Sequence, residues 1–408
     1  MSLRLDHPNN IINNSFNISG SKSESNRLLI LKYLLKNIEI RNLSDSDDTI
    51  SLQNALNSPS GSVDIHHAGT AMRFLTAYFS IQVNKNYEIF GSRRMHERPI
   101  EILVDALNDL GADIKYLSKK GFPPLKINGK ELDRDQVYLD TNISSQYITA
   151  LILIAPVMKN GLVINLVGNI TSRPYIEMSL SILKRIGIQT SFINNKIKIK
   201  PFKNEKKIVQ TVESDWSSLS YFYSIVTLSK EANLKISSFL SNSLQGDKEL
   251  VAIYKKLGVQ TIFDNGNVKL KKNQKVNLPK KIVLTLNDTP DLAQTIAVTC
   301  FGLGLPCDLF GLQTLKIKET DRLLALKTEL EKLGANVEIT NESLHLKKRK
   351  KFNSNIEINT YDDHRMAMAF APLAIIKPII INDPKVISKS FPSFWNILSE
   401  LNFRISEY

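Results

Sequence analysis

Cysteine is nearly missing from this 408-residue chain: there are two, Cys300 and Cys307, with neither CxxC nor metal-ligand spacing. A disulfide framework and a zinc ribbon are thereby excluded, and a reducing compartment fits. Long apolar runs are missing as well. The charge-free run from Thr141 to Met158 opens on the polar TNISSQ, and that from Leu292 to Cys307 is broken by Gly302, Gly304 and Pro306, so neither reads as a membrane span. The first residues, MSLRLDHPNN, have no apolar signal region. A cytoplasmic protein with no membrane partner is expected. His66 and His67 have no third ligand at usable spacing, which argues against a metal, and GSKS lacks the GxxxxGK[ST] spacing of a P-loop.

What the chain does have is ordinary apolar content, 42%, and a length beyond the roughly 250 to 300 residues at which single cores stop growing. Two domains are expected. It also has a surplus of positive charge: 53 Lys and Arg against 40 Asp and Glu leave +13. A nucleic-acid partner would want basic residues on one face with aromatic interleaving. The dense runs, such as Lys347 to Lys351 and Lys271, Lys272 and Lys275, sit instead at turn tips between short alternating segments, so no nucleic acid is expected.

Repeats of long period decide the fold. An amphipathic helical pattern ending in a small turn and a strand recurs in IEILVDALNDLGADIKYL, IEMSLSILKRIGIQTSFI, LVAIYKKLGVQTIF and LLALKTELEKLGANVEI, with turn glycines Gly111, Gly187, Gly258 and Gly334 nearly evenly spaced. Weaker copies end at Asn57 and Asn402. Alternating with these is a second set, apolar nearly all round: SESNRLLILKYLL, TAMRFLTAYFS, SSQYITALILIAP, SSLSYFYSIVTLS, PDLAQTIAVTCFG and DDHRMAMAFAPLAII. A helix apolar on every side belongs in an interior. Their caps are expected near Ser23, Thr70, Ser144, Ser217, Asp291 and Asp362. The pattern is an α/β array of six units, three to a domain.

The starts of the buried helices would present unpaired N–H groups and positive dipole ends, which suit anions. Cations gather there: Lys22 and Arg27 around GSKSESNR, Arg98 before Pro99, Lys318 and Arg322 in KETDR, Arg365 in DDHR, and Lys389. Each has a plainer reading, since KETDR alone suits any helix start with acidic residues favoured by the dipole, and Asp362 or Asp363 could be caps alone. Recurrence at the same station in successive units is what marks the set. The ligand should carry several negative charges.

Ten motifs in order, GSKSESNR, HAGTAMR, RMHERPI, SSQYITAL, SRPYIE, QGD, TPDLAQTIA, KIKETDR, DDHRMAMAF and SKSFP, closely resemble the 5-enolpyruvylshikimate-3-phosphate (EPSP) synthases from about residue 15 onward. The resemblance implies a two-domain inside-out α/β barrel of six βαβαββ repeats, with residues 21–213 as one domain, residues 1–20 and 214–408 as the other, and the active site in the cleft between them. It implies transfer of the enolpyruvyl group of phosphoenolpyruvate to the 5-hydroxyl of shikimate 3-phosphate by addition and elimination, with no cofactor and no metal, by a monomer. By motif position, Lys22, Ser23, Arg27, Ser144, Ser145, Gln146, Ser172, Tyr175, Asp291, Thr314 and Lys318 would hold shikimate 3-phosphate. Lys22, Gly69, Arg98, Gln146, Arg322, Arg365 and Lys389 would hold phosphoenolpyruvate, the guanidinium groups being suited to bidentate contacts. Asp291 matches the family's base, Glu319 would donate the proton, and Lys22 would share in the transfers.

Four positions depart from the family's common pattern: His67, Phe74, Trp216 and Thr314. Gly69 keeps the small residue that leaves room for the inhibitor glyphosate. The UDP-N-acetylglucosamine enolpyruvyl transferases share the fold and the donor substrate, but carry a reactive cysteine in the loop that here reads GSRRMHERP, which has none.

Overall fold

A computed structural model describes every residue except 141–144, 169 and 205. The chain divides into two compact units, Gly20–Val212 and Met1–Ser19 with Glu213–Tyr408. Among the described residues, no helix is long and apolar enough to cross a membrane.

One pattern builds both units. A strand leads into a buried helix and returns as a parallel neighbour; an amphipathic helix follows, and a hairpin then adds two antiparallel strands. In the unit Gly20–Val212 this gives the sheet of Gly61–Asp64, Asn86–Phe90, Leu125–Asn128 and Asp113–Tyr116. It recurs in Gln136–Asp140, Leu162–Val167, Lys196–Ile199 and Thr190–Ile193. The first repeat is reduced to the parallel pair Ile38–Arg41 and Ile208–Thr211.

In the other unit the pattern appears three times. Ile11–Phe16 pairs in parallel with Glu231–Ser237, which carries the hairpin Val259–Asp264 and Asn267–Lys272. Ile282–Thr285 does the same with Cys307–Phe310 and its hairpin. In the last sheet Ile356–Ile358 pairs with Ile379–Asn382, and the chain's first strand, Ser2–Asp6, sits between Ile379–Asn382 and the last strand, Arg404–Glu407.

The six-repeat, two-domain α/β architecture is the one the resemblance implies, although its sheets do not close into a barrel. Among the described residues the strands make six separate sheets, and no ladder returns to its own first strand. Four of the sheets end on a hairpin strand whose outer edge has no ladder partner among the described residues.

The helices divide as their periodicity requires. Gly69–Ser80, Ser145–Ile154, Trp216–Leu228, Ala293–Leu303 and His364–Phe370 are buried on nearly every residue, and Lys22–Leu35 over its first half. Arg173–Ile186 and Arg322–Lys332 bury one stripe only. The four turn glycines, Gly111, Gly187, Gly258 and Gly334, take φ between 88° and 104°, where a side chain would be strained. The caps lie one or two residues away from several expected positions. Ser21, Asp215 and Asp363 accept the first-turn N–H groups. Thr70 is not a cap: Gly69–Ser80 starts after Ala68 with no side-chain cap. Asp291 does not cap either, because it lies in the 3-10 turn Pro290–Leu292 and its carboxylate is drawn to cationic side chains.

Candidate active site

In the unit Gly20–Val212 the helix Lys22–Leu35 carries two of the expected cations. Lys22 Nζ lies 3.0 Å from Asp48 Oδ2. Arg27 is 3% exposed and donates from Nε to Ser179 Oγ at 2.8 Å, from Nη1 to the Ser23 carbonyl at 2.6 Å and from Nη2 to the Tyr175 carbonyl at 3.3 Å. Its guanidinium lies 5.7 Å from the Phe74 ring centroid and 5.8 Å from that of Tyr175. Burial lowers its pKa to about 10, against the opposing pull of Tyr175 and Glu24, so it stays charged at neutral pH. A buried cation whose hydrogen-bond partners are all neutral is a natural seat for an anion.

Gly69 opens the helix Gly69–Ser80 because Arg98 lies across it: a Cβ at position 69 would sit 2.3 Å from Arg98 Nη1. The Arg98 Nε is buried with no hydrogen-bond partner among the described residues. Arg73 fixes this corner by donating to the carbonyls of Gly69 at 3.1 Å and Pro99 at 2.9 Å, and the Tyr147 hydroxyl donates to the same Pro99 carbonyl at 2.6 Å. Gln146 Nε2 reaches Thr70 Oγ1 at 3.4 Å, which joins two buried helix starts. Ser145 is buried at the head of its helix, and Ser172 is a left-handed N-cap at φ 54°. Ser144 lies outside the described residues.

The second group belongs to the other unit. Arg322, 2% exposed, reaches three carboxylates: Asp291 Oδ1 at 2.8 Å, Glu319 Oε2 at 2.9 Å and Asp363 Oδ2 at 2.6 Å. Arg365 Nη2 lies 3.0 Å from Asp291 Oδ2, Lys318 Nζ 3.8 Å from Asp291 Oδ1, and Lys389 Nζ 3.9 Å from Glu319 Oε1. Thr314, on the 3-10 segment Gln313–Ile317 just before Lys318, has a buried hydroxyl without a partner among the described residues. Burial favours the protonated form of Asp291, yet Arg365, Lys318 and Arg322 outweigh it and hold the carboxyl far below its ordinary range. Burial likewise opposes the Arg322 charge, but Asp363, Glu319 and Asp291 keep it above its usual value. Each unit thus offers buried cations near helix starts, and one of them also gathers three carboxylates around Arg322.

The family described as EPSP synthase (3-phosphoshikimate 1-carboxyvinyltransferase) matches residues 49–398. A 3-phosphoshikimate 1-carboxyvinyltransferase of Bacteroides fragilis strain YCH46 is 45% identical over 392 residues, covering 95% of both chains. The chain belongs to the EPSP synthase family. A relative from Neisseria meningitidis strain FAM18 is 34% identical, over 94% of this chain and 95% of its own. Among solved structures, an EPSP synthase from Acinetobacter baumannii superposes with TM-score 0.77 at 19% identity over the whole of both chains. The enolpyruvyl transferase NikO from Streptomyces tendae gives 0.75 at 14% identity, over 99% and 98% of the two chains. These superpositions establish the fold.

Set among EPSP synthases, the four unusual residues fall in different places. Phe74 is fully buried beneath Arg27, whereas His67 is exposed. Trp216 is buried, packs edge-on against Phe239 at 5.2 Å and donates its indole N–H to Glu213 at 2.8 Å. Residue-by-residue reading overlooked the supporting partners: Asp48 on Lys22, Tyr147 on the Pro99 carbonyl, and Asp363 on Arg322. Asp48 and Asp363 sit at the starts of helices, and only the position of a facing cation separates a partner from a cap.

Proposed function

We propose that Asp291, Glu319 and Lys22 carry the proton transfers of the EPSP synthase reaction, with the remaining cations holding its two anionic substrates. The reaction moves the enolpyruvyl group of phosphoenolpyruvate to the 5-hydroxyl of shikimate 3-phosphate. In the addition step the hydroxyl oxygen bonds to C2 of phosphoenolpyruvate, its proton passes to Asp291, and the methylene carbon takes a proton from Glu319. In the elimination step the new methyl group returns a proton to Glu319, the bond from C2 to the phosphate oxygen breaks, and the leaving phosphate takes up the proton held by Asp291, which restores the carboxylate. Lys22 helps neutralise the charge that develops and shares in the transfers.

The observation that carries this reading is the Asp291 carboxylate between Arg322, Arg365 and Lys318. So clamped, it is a weak base. When substrate anions draw Arg365, Arg322 and Lys318 toward themselves, Asp291 gains proton affinity as the hydroxyl arrives. Ser23, Arg27, Ser144, Ser145, Gln146, Ser172, Tyr175, Thr314 and Lys318 take shikimate 3-phosphate; Gly69, Arg98, Gln146, Arg322, Arg365 and Lys389 take phosphoenolpyruvate, with Lys22 shared.

We take residues 21–213, and 1–20 with 214–408, as the two domains, a division supported by the compact units. The working state is a cytoplasmic monomer without a nucleic-acid partner. Against a nucleic-acid surface, Lys347 pairs with Glu338 at 3.2 Å and the Arg349 guanidinium lies over the rings of Phe352 and Phe301.

Phosphate release should require shikimate 3-phosphate with phosphoenolpyruvate and be absent when UDP-N-acetylglucosamine replaces the former. Asp291→Asn and Glu319→Gln should each lose at least about 10²-fold in kcat while still binding shikimate 3-phosphate by calorimetry. Near-normal turnover in either purified variant overturns its role.

A further inference from the structure

A further carboxyl faces this cluster and has no part in the chemistry above. Asp247, in the 3-10 turn Gly246–Glu249, is 3% exposed. Its Oδ2 accepts a hydrogen bond from the Ser217 hydroxyl, and its Oδ1 has no partner among the described residues. The turn is held in place from one side. Gln245 accepts from the Trp216 N–H at 2.9 Å and donates to the Ser214 carbonyl at 2.8 Å, while Glu213 accepts from the Trp216 indole and from the Leu240 N–H, each at 2.8 Å. The charges facing Asp247 are Asp291 from the Pro290–Leu292 turn, Arg365 from the helix His364–Phe370, and Asp215 at the start of Trp216–Leu228.

We propose that Asp247 is a positioning residue for proton transfer: its buried carboxyl confronts Asp291 and Arg365, and in its ionised form makes Asp291 the stronger base. The assignment rests on Asp291 being that base. A negative charge beside Asp291 favours proton uptake there, and it competes for Arg365, loosening the clamp. With a proton on Asp247, both effects are lost. Burial first, then Asp291 and Asp215, raise the Asp247 pKa to about 7, with Arg365 and Ser217 opposing. The change of state therefore falls within the working pH range.

The test is the pH profile of kcat for phosphate release, measured on the full chain and on Asp247→Asn, Asp247→Glu, Ser217→Ala and Asp291→Asn. Wild type should lose turnover on the acid side with a midpoint near 7. Asp247→Asn should be slower by about 10-fold or more at high pH, with both KM values within about 3-fold of wild type and no acid limb near neutrality. Asp247→Glu should restore the limb. Ser217→Ala removes the one donor that favours the ionised form, so its limb should move to higher pH. Thermal melts and shikimate 3-phosphate binding show that each variant is folded. An unchanged limb in Asp247→Asn or Ser217→Ala overturns the proposal, as does a loss in which KM rises by the same factor. If Asp291→Asn keeps normal turnover, the base assignment itself fails; if Asp291→Asn is inactive and the Asp247→Asn limb is unchanged, only the role of Asp247 fails.

Discussion

Replacing Gly69 with alanine separates substrate binding from fold stability with a single methyl group. The new Cβ would lie 2.3 Å from Arg98 Nη1, 2.7 Å from Cζ and 2.8 Å from Nη2. Ordinary contact begins near 3.5 Å, so the guanidinium must retreat by about 1 Å, and among the described residues its Nε has no hydrogen bond that opposes this. A displacement of about 1 Å in a positioning group can cost up to 10²-fold. We expect KM for phosphoenolpyruvate to rise by about 10- to 100-fold, or about 1.4 to 2.7 kcal/mol, with KM for shikimate 3-phosphate little changed. The backbone effect has the opposite sign. Gly69 is the first residue of its helix and alanine fits there, so the melting temperature should hold or rise, reflecting up to about 1 kcal/mol. Steady-state phosphate release with each substrate varied, beside a thermal melt, reads both quantities. The same retreat should weaken glyphosate, which millimolar addition at subsaturating phosphoenolpyruvate should show to inhibit wild type. A phosphoenolpyruvate KM within about 2-fold of wild type, or an equal rise for both substrates, would refute the reasoning.

Arg27→Met keeps the length of a buried side chain and removes a charge surrounded by neutral partners; chemical denaturation should show stability unchanged or improved, while KM for shikimate 3-phosphate rises at least about 10-fold. Trp216→Ala should cost about 3 to 5 kcal/mol in the same assay, because it empties a buried site and takes a donor from Glu213. Asp247 also predicts a pH dependence of stability. Its folded pKa, about 7, lies above the ordinary 3.8, so the native state keeps a proton that the unfolded chain has lost. That contribution is greatest at low pH and is given up as pH rises through 7. Asp247→Asn should therefore gain on the order of a few kcal/mol over wild type at high pH and little below pH 4; equal melting curves at both pH values would contradict it.

The repeat pattern was readable because it lies in local periodicity: helices without a polar stripe, such as GTAMRFLTAYFS, are buried, and those with one, such as RPYIEMSLSILKRI, are half-buried. Cations at helix starts could be found the same way. What local pattern does not carry is the choice of partner. Asp291 and Asp363 look alike at the head of a helix, yet Asp363 caps its helix and also grips Arg322 from 41 residues away, while Asp291 caps nothing. Asp247 was visible only as part of QGD, and its importance comes from charges on other elements. Barrel closure depends on how sheets meet, and no residue pattern encodes that.

The reduced first repeat has a topological consequence. Because Ile208–Thr211 pairs with Ile38–Arg41, the unit Gly20–Val212 ends where it begins: the Asn42 side chain donates to the Val212 carbonyl at 2.9 Å, and Gly20 lies hard against the Asn42 carbonyl oxygen. The cut ends of the other unit are as close, with Ser214 Oγ donating to the Ile18 carbonyl at 2.6 Å. The gene is in effect one three-repeat module written into another close to its start. A linker of a few residues could seal either excision, and joining residue 212 to residue 20 while opening the Asn194–Asn195 hairpin tip would give a circular permutant of the inserted module. Each half could then be expressed, folded and evolved as an independent part.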